Sequence, residues 1–387
     1  MKSIAVIGVG TAGIHSLSHL LAYLPNNDDW KVISIYDPKI PILGVGESIG
    51  PYVLNSMYYS CGLTPLDHHH LEATPKHGAR FVDWRTNPKF FHSIPPESGL
   101  HFNNTLLKKY ALPRFSQKHK NRFSEIHGTV KDVKDCGEFV EVIVNSEIYK
   151  FDFVVDCRGY PEDHTDYVMS ENIPVNHCLV HIINEPGTWT YTEHRATKNG
   201  WMFGVPLTSR QGWGYLYNDN ITSKEEAMND IAERFNTVSE NLKLNEFKFK
   251  SYYAKKFINN RIIKNGNRAL FFEPIDALAA YFYDRINRNM LEMIVLNKPV
   301  DIINEELFLI AQGLERFICF IYHGGSNYES DFWNYTKKTT QDFLNNDYLF
   351  QKYLIEIPAS DRNKLFGPHL ASSWRLWDKE FEYGYFN

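Results

Sequence analysis

The stretch Ile4-Ala5-Val6-Ile7-Gly8-Val9-Gly10-Thr11-Ala12-Gly13 decides the fold of this chain. Ile4 to Ile7 is a short apolar run of the kind that forms a buried parallel strand. Gly8, Gly10 and Gly13 complete a G-x-G-x-x-G turn. In such a turn the first glycine takes the tight bend and the second lets the backbone approach a pyrophosphate. The third lets helix and strand pack closely. A helix is expected from His15 to Leu24, with Leu17, Leu20, Leu21 and Leu24 at helical spacing and Pro25-Asn26-Asn27 ending it. Its N-terminal N–H groups, around Thr11 and Ala12, offer donors and a positive dipole end to a phosphate. Val32 to Tyr36 follows as a second strand, closed by Asp37, whose carboxylate suits a ribose hydroxyl. The order of strand, glycine turn, helix, strand and acid predicts a dinucleotide site in an α/β, Rossmann-type module.

Two later segments point to FAD rather than NAD. Tyr149 to Gly159 reads as one strand, first alternating and then continuously apolar, that ends in a polar turn. It follows a hairpin strand over Glu138 to Val144. Lys264-Asn265-Gly266-Asn267-Arg268 places a glycine turn before the apolar run that leads to Glu273-Pro274. A glycine turn returning to the nucleotide module after a long insertion is the layout of flavoprotein monooxygenases. The expected architecture is an FAD-binding module over residues 1–300, with a mixed β-sheet inserted at about 60–260, and a mostly helical C-terminal substrate region over 301–387.

The chain has 387 residues, 43% of them hydrophobic, which suffices for one large domain or two interlocked ones. A formal charge of -5 without any Lys/Arg run argues against nucleic acid as a partner. No apolar run reaches the roughly 18 residues of a membrane-spanning helix, so no membrane partner is expected. Cys61, Cys136, Cys157, Cys178 and Cys319 form no C-x-x-C pair and read as reduced thiols of a cytoplasmic protein. The glycines after Ile7 suit a strand-turn-helix better than a cleaved signal segment. Asp67-His68-His69-His70 lacks metal-ligand spacing, because adjacent histidines diverge on any regular element, and it reads as a helix start. Thr222-Ser223-Lys224-Glu225-Glu226 is a capping box that opens a helix.

Five further blocks stand in a fixed order: Gly44-Val45-Gly46-Glu47-Ser48, Gly200-Trp201-Met202-Phe203-Gly204-Val205-Pro206, Arg210 to Tyr217, Phe272-Glu273-Pro274-Ile275-Asp276, and Phe317 to Trp333 with His323. They resemble the G-V-G-E-A/S flavin loop, G-W-x-W-x-I-P, R-x-G-x-G-Y-x-Y, E-P-L-E-S-T-G and the F-W-terminated segment of flavin-dependent tryptophan halogenases. The resemblance implies FAD, reduced by a separate flavin reductase, with oxygen and a halide ion as co-substrates. It implies that hypohalous acid travels to a lysine beside an aromatic or indole-like small molecule, where a glutamate assists halogenation of the ring. Gly44, Gly46, Glu47 and Ser48 thereby join Gly8, Gly10, Thr11, Ala12, Gly13, Asp37 and Gly266 as expected cofactor-binding residues. Trp201 and Phe203 fall on the substrate side, with Phe203 shielding it from the flavin. His92, in Phe90-Phe91-His92-Ser93-Ile94, is similar to the family's H-P-F segment that stacks on indole; its alternative is a satisfied loop histidine. Trp374 and Trp377 read as core, although the family uses a C-terminal tryptophan as a lid. The chain is shorter than typical members, and the difference falls toward the C-terminus.

The resemblance breaks at the chemical centre. Lys76-His77-Gly78-Ala79-Arg80-Phe81-Val82-Asp83-Trp84 is similar to K-x-x-x-K-F-x-x-W and puts Arg80 where the family has its catalytic lysine. Arginine stays charged and is a poor nucleophile. Arg80 is therefore expected either to orient hypohalous acid or to form a buried ion pair with Asp276. Lys76 is the substitute amine. Asp276 stands at the catalytic glutamate, one methylene shorter. Ala277-Leu278-Ala279 replaces S-T-G, which leaves the N–H groups of Leu278 and Ala279 as halide donors. The expected function is an FAD-dependent halogenase-like enzyme. Two alternatives remain: a flavin-dependent hydroxylase that uses no halide, and a non-catalytic flavin-binding relative. The sequence leaves open whether the chain is a monomer or a homo-oligomer.

Overall fold

The strand Lys2–Ile7 lies between Trp30–Tyr36 and Phe153–Asp156, parallel to both, in a six-stranded sheet. This central position explains why Ile4, Ala5 and Val6 are all buried: both faces of the strand are covered. Phe123–His127 and Ile262–Lys264 extend the sheet in parallel on either side, and Ile258–Asn259 closes one edge antiparallel. The helix Thr11–Tyr23 packs behind the sheet, and a three-stranded antiparallel sheet, Val130–Asp135, Val140–Val144 and Glu147–Phe151, shares a core with its other face. The computed structural model describes residues 1–25, 29–42, 47–85, 89–93, 99–355, 374 and 376–379.

Tyr149 to Gly159 is not one strand. Glu147–Phe151 finishes the hairpin sheet, and Phe153–Asp156 enters the parallel sheet. Asp152 is the joint, its carboxylate accepting the Ser3 N–H at 2.7 Å. The shift from alternating to continuous apolar residues marks a change of sheet, from a half-solvated antiparallel one to a fully covered parallel one.

The inserted sheet has seven strands, in the order Leu244–Lys248, His177–Ile183, Gln211–Tyr217, Trp201–Pro206, Thr192–Ala196, Gly78–Val82 and Lys89–Ser93. It is mixed, because Gly78–Val82 runs parallel to Thr192–Ala196 while the other pairings are antiparallel. Helices Leu278–Leu296, Val300–Gly324, Asp331–Asn346 and Tyr348–Ile355 follow. The first of them is tied to the glycine-turn helix by polar contacts: His19 Nε2 meets Asp284 at 3.0 Å, and the Ser16 hydroxyl donates to Asn287 at 2.8 Å. Ser223 and Glu226 form the expected capping box before Lys224–Arg234. His68, His69 and His70 lie in a short helix, Pro65–Leu71, opened by a second capping box of Thr64 and Asp67. Among the described residues no helix is long and apolar enough to cross a membrane.

Candidate functional site

The glycine turn is built from three different constraints. Gly8 has a φ of +92°, and a Cβ there would lie 2.7 Å from the Cys157 carbonyl oxygen. A Cβ on Gly13 would lie 1.9 Å from the Gly8 carbonyl oxygen, so both glycines serve close packing. Gly10 differs, because nothing lies within 4 Å of where its Cβ would stand. It caps the Thr11–Tyr23 helix without a side-chain hydrogen bond. The helix thus opens at Thr11 and Ala12 beside the space at Gly10, which fits a pyrophosphate. A Cβ on Gly266 would lie 2.7 Å from the Ala12 Cβ, so the second glycine turn packs on the first. The Asp37 carboxylate accepts from the Thr129 hydroxyl at 2.6 Å and the Lys39 N–H at 2.9 Å. These bonds hold it below the usual carboxylate range, ionised to receive a ribose hydroxyl. The donor set fits the diphosphate and ribose of FAD. Gly44 and Gly46 lie outside the described residues.

Hydrogen bonds and the Glu47–Ser48 chain segment together link this turn to a buried lysine. The Thr11 hydroxyl donates to Asn104 Oδ1 at 2.9 Å, and the Asn104 N–H donates to Glu47 Oε1 at 3.4 Å. Burial pushes the Glu47 carboxyl up to about 7, against the pull of Arg210 at 2.5 Å. The next residue, Ser48, accepts from Lys76 Nζ at 3.0 Å. Lys76 is buried, and burial lowers its ammonium to about 8 despite the opposing Asp276 carboxylate.

Asp276 completes the cluster. Its carboxylate meets His92 Nδ1 at 2.9 Å, and its N–H donates to His194 Nε2 at 3.2 Å. Burial pushes this carboxyl up, but His92 and then Lys76 outweigh it and hold it below the usual range. Asp276 and Ala277 have φ of +54° and +57°, two left-handed residues in succession and neither a glycine. Each such residue costs about 1–2 kcal/mol and persists only where its surroundings enforce it. Leu278–Leu296 begins at once, with no side-chain cap. Ala277 is left-handed and Leu278 right-handed, and Leu278 and Ala279 stand in the first turn of the helix.

Arg80 does not join this cluster. Thr74–Lys76 pairs with Gly99–His101 in a separate small sheet, whereas Gly78–Val82 belongs to the seven-stranded one. His77 links the two, its N–H donating to the Thr190 carbonyl at 2.8 Å. Phe81 faces the site, stacked on His194 at 4.6 Å. Side chains alternate along a strand, so Arg80 faces the other way and donates to the Tyr191 hydroxyl at 2.7 Å. The expected Arg80–Asp276 ion pair is thus replaced by Asp276 with His92.

Aromatic residues back the cluster. Trp201 is fully buried, donates to the Tyr322 hydroxyl at 2.6 Å and stacks on His194 at 5.4 Å. Phe203 stands opposite His194 in register. Trp377 meets Phe81, Phe90 and His92 with ring centroids 4.4, 4.7 and 6.4 Å apart. Trp374 packs with Phe317, Phe320 and Phe350 as core.

The sequence reading gives no role to His194, His101 or Glu273. His101 is buried, with Nε2 2.9 Å from the Thr192 hydroxyl, and burial keeps it well below the usual imidazole range. Glu273 is buried too, and accepts the Ile275 N–H at 3.0 Å. The alternation of Thr192, His194 and Ala196 signals a shared face; what that face meets depends on strands far away in sequence.

The tryptophan halogenase family model matches residues 3–127 and 93–352. Tryptophan 7-halogenase RebH of Lentzea aerocolonigenes is 22% identical over 364 aligned positions, covering 73% of this chain and 68% of the relative. Tryptophan 6-halogenase ThaL of Streptomyces albogriseolus is 21% identical over 469 aligned positions, covering 97% of this chain and 87% of the relative. The solved structure of BrvH, a flavin-dependent halogenase from a Brevundimonas species, shares the fold with a TM-score of 0.78 at 16% identity, over 99% of this chain and 90% of that one. With a family model spanning most of its length, this chain belongs to the tryptophan halogenase family.

Proposed function

We propose that the chain is an FAD-dependent halogenase that uses reduced flavin, oxygen and halide on an aromatic, indole-like small molecule. The observation that carries this reading is the buried Lys76, which donates to Ser48 and feels the Asp276 charge at the end of the path from the glycine turn. Bound FAD, once reduced, supplies the electrons with which oxygen converts halide to hypohalous acid. The Gly8–Gly13 turn, Asp37 and Gly266 would hold its phosphates and ribose. Leu278 and Ala279 bind the halide through their N–H groups.

The Lys76 ammonium hydrogen-bonds the oxygen of hypohalous acid beside the substrate ring. A ring carbon attacks the halogen and the O–X bond breaks. The departing oxygen takes a proton from Lys76 and leaves as water, while the displaced ring proton passes to Asp276. Ring and hypohalous acid thereby give halogenated ring and water, and one proton returns from Asp276 to Lys76. His92 and Phe203 flank the substrate, with Trp201 behind them. Lys76, not Arg80, is the reacting cation.

Reduced flavin comes from a separate reductase, because the only G-x-G-x-x-G in the sequence is committed to FAD. The free cysteines and the need for reduced flavin support a cytoplasmic location. The test combines the purified chain with FAD, a flavin reductase, NADH, oxygen, bromide or chloride, and a panel of indoles. Mass spectrometry should find a product carrying halogen in place of hydrogen. A product that gains oxygen and no halogen establishes the hydroxylase instead. FAD binding without any product sinks both readings.

A further inference from the structure

We infer that His194 is a positioning residue, which fixes the Asp276–Ala277 turn and through it both aims the carboxylate and opens the halide-binding N–H groups. This rests on the halogenase reading. The argument is an accounting of consecutive backbone donors. The Ile275 N–H goes to Glu273 Oε2 at 3.0 Å, the Asp276 N–H to His194 Nε2 at 3.2 Å and the Ala277 N–H to the Pro274 carbonyl at 3.2 Å. The next two N–H groups, of Leu278 and Ala279, lie in the first turn of the Leu278–Leu296 helix, which has no side-chain cap. Pro274 and Glu273 belong to the same segment as the turn. His194 reaches it from a strand of the seven-stranded sheet, 82 residues away in sequence.

The imidazole is held for this role. It is fully buried, with Phe81 stacked at 4.6 Å and 10° and Trp201 at 5.4 Å and 26°. A ring confined between two others cannot swing away from the turn. Burial lowers it to about 3, so it stays neutral at any working pH. A neutral ring that accepts at Nε2 carries its proton on Nδ1. Without this acceptor the Asp276 N–H would be buried unpaired, and two left-handed residues would relax toward right-handed backbone, carrying the carboxylate away from Lys76.

The test compares His194→Phe with His194→Gln, whose amide oxygen can stand near the Nε2 position. For His194→Phe we expect kcat to fall about 10- to 100-fold, the loss typical of a reacting group displaced by about 1 Å. The bromide KM should rise, while the dissociation constant for FAD stays within about twofold, a change of under 0.5 kcal/mol. His194→Gln should recover most of kcat. Nitrogen-15 NMR of the histidine-labelled wild-type chain should show a neutral, Nδ1-protonated ring at His194 that does not titrate from pH 8 to 5. Wild-type kcat and bromide KM in His194→Phe would overturn the inference. So would an Nε2-protonated or titrating ring. If His194→Phe does not fold, the NMR measurement decides. If the wild-type chain makes no halogenated product, the halogenase reading fails, and the tautomer still reports whether His194 holds the turn.

Discussion

Lys76 and Arg80 stand four residues apart, yet Lys76 is buried and donates to Ser48 while Arg80 points to the opposite side of its sheet and donates to Tyr191. Substitutions at the two positions should therefore separate. Lys76→Met should lower halogenation at least about 100-fold, the range for loss of a proton-transfer group. The same change should raise the melting temperature. The folded-state pKa of Lys76 is depressed from 10.5 to about 8, so the unfolded chain holds this proton more tightly. That difference costs about 3 kcal/mol below pH 8, and the cost is relieved as pH rises from about 8 to 10.5. Arg80→Ala loses one hydrogen bond and should cost about 1 kcal/mol of stability with turnover within about threefold. Turnover in Arg80→Ala as low as in Lys76→Met would reverse the assignment of the two residues.

The pH profile of turnover follows from the same amine. As the proton donor, Lys76 must be charged, so kcat should decline above about pH 8 as the ammonium is lost. Lys76→Arg, which keeps its charge, should move that decline above the measurable range, whatever its absolute rate. A wild-type profile still rising at pH 9 would contradict the role.

Two glycines of one turn should fail in different ways. Gly13→Ala drives a Cβ into the Gly8 carbonyl and should destabilise the fold by at least about 1–3 kcal/mol. Gly10→Ala meets no protein atom and should melt like the wild type. Its Cβ should instead weaken FAD about tenfold or more, equivalent to about 1.4 kcal/mol. Fluorescence titration of FAD beside a thermal melt reads both, and unchanged FAD affinity in Gly10→Ala would remove the cofactor from this turn.

Acid sensitivity should trace in part to His15. This residue is fully buried in the glycine-turn helix, and burial lowers it to about 3 from 6.5. The unfolded chain binds its proton first, so stability falls as pH drops from about 6.5 toward 3. Each such histidine adds about 1.4 kcal/mol per pH unit to that slope. Denaturant melts of His15→Phe between pH 6 and 4 should show a slope shallower by about that amount. An unchanged slope would mean that His15 is already charged in the fold.

Much of the cofactor half was legible in sequence because its constraints are local. Gly8, Gly10 and Gly13 act on neighbours within a few residues, and the strand and helix around them follow from periodicity. The mixed inserted sheet and the helical C-terminal region were also expected. The reacting half was legible in composition and not in facing. Counting four residues along one strand would put Lys76 and Arg80 on one side, and the break at His77 undoes the count. Asp276 was found by motif, but its left-handed backbone and its bonds to His92 and His194 depend on strands brought in from elsewhere. No local signal marks a histidine such as His194 that works through another residue's amide.

The break between strands at His77 also bears on how relatives of this chain are counted. A genome survey that filters for lysine in one alignment column would discard it as having lost its reagent. In the proposed reading the reacting amine is instead Lys76, on the strand just upstream. Chains with the same displaced amine would be scored inactive by such a filter, and their chemistry would be missed.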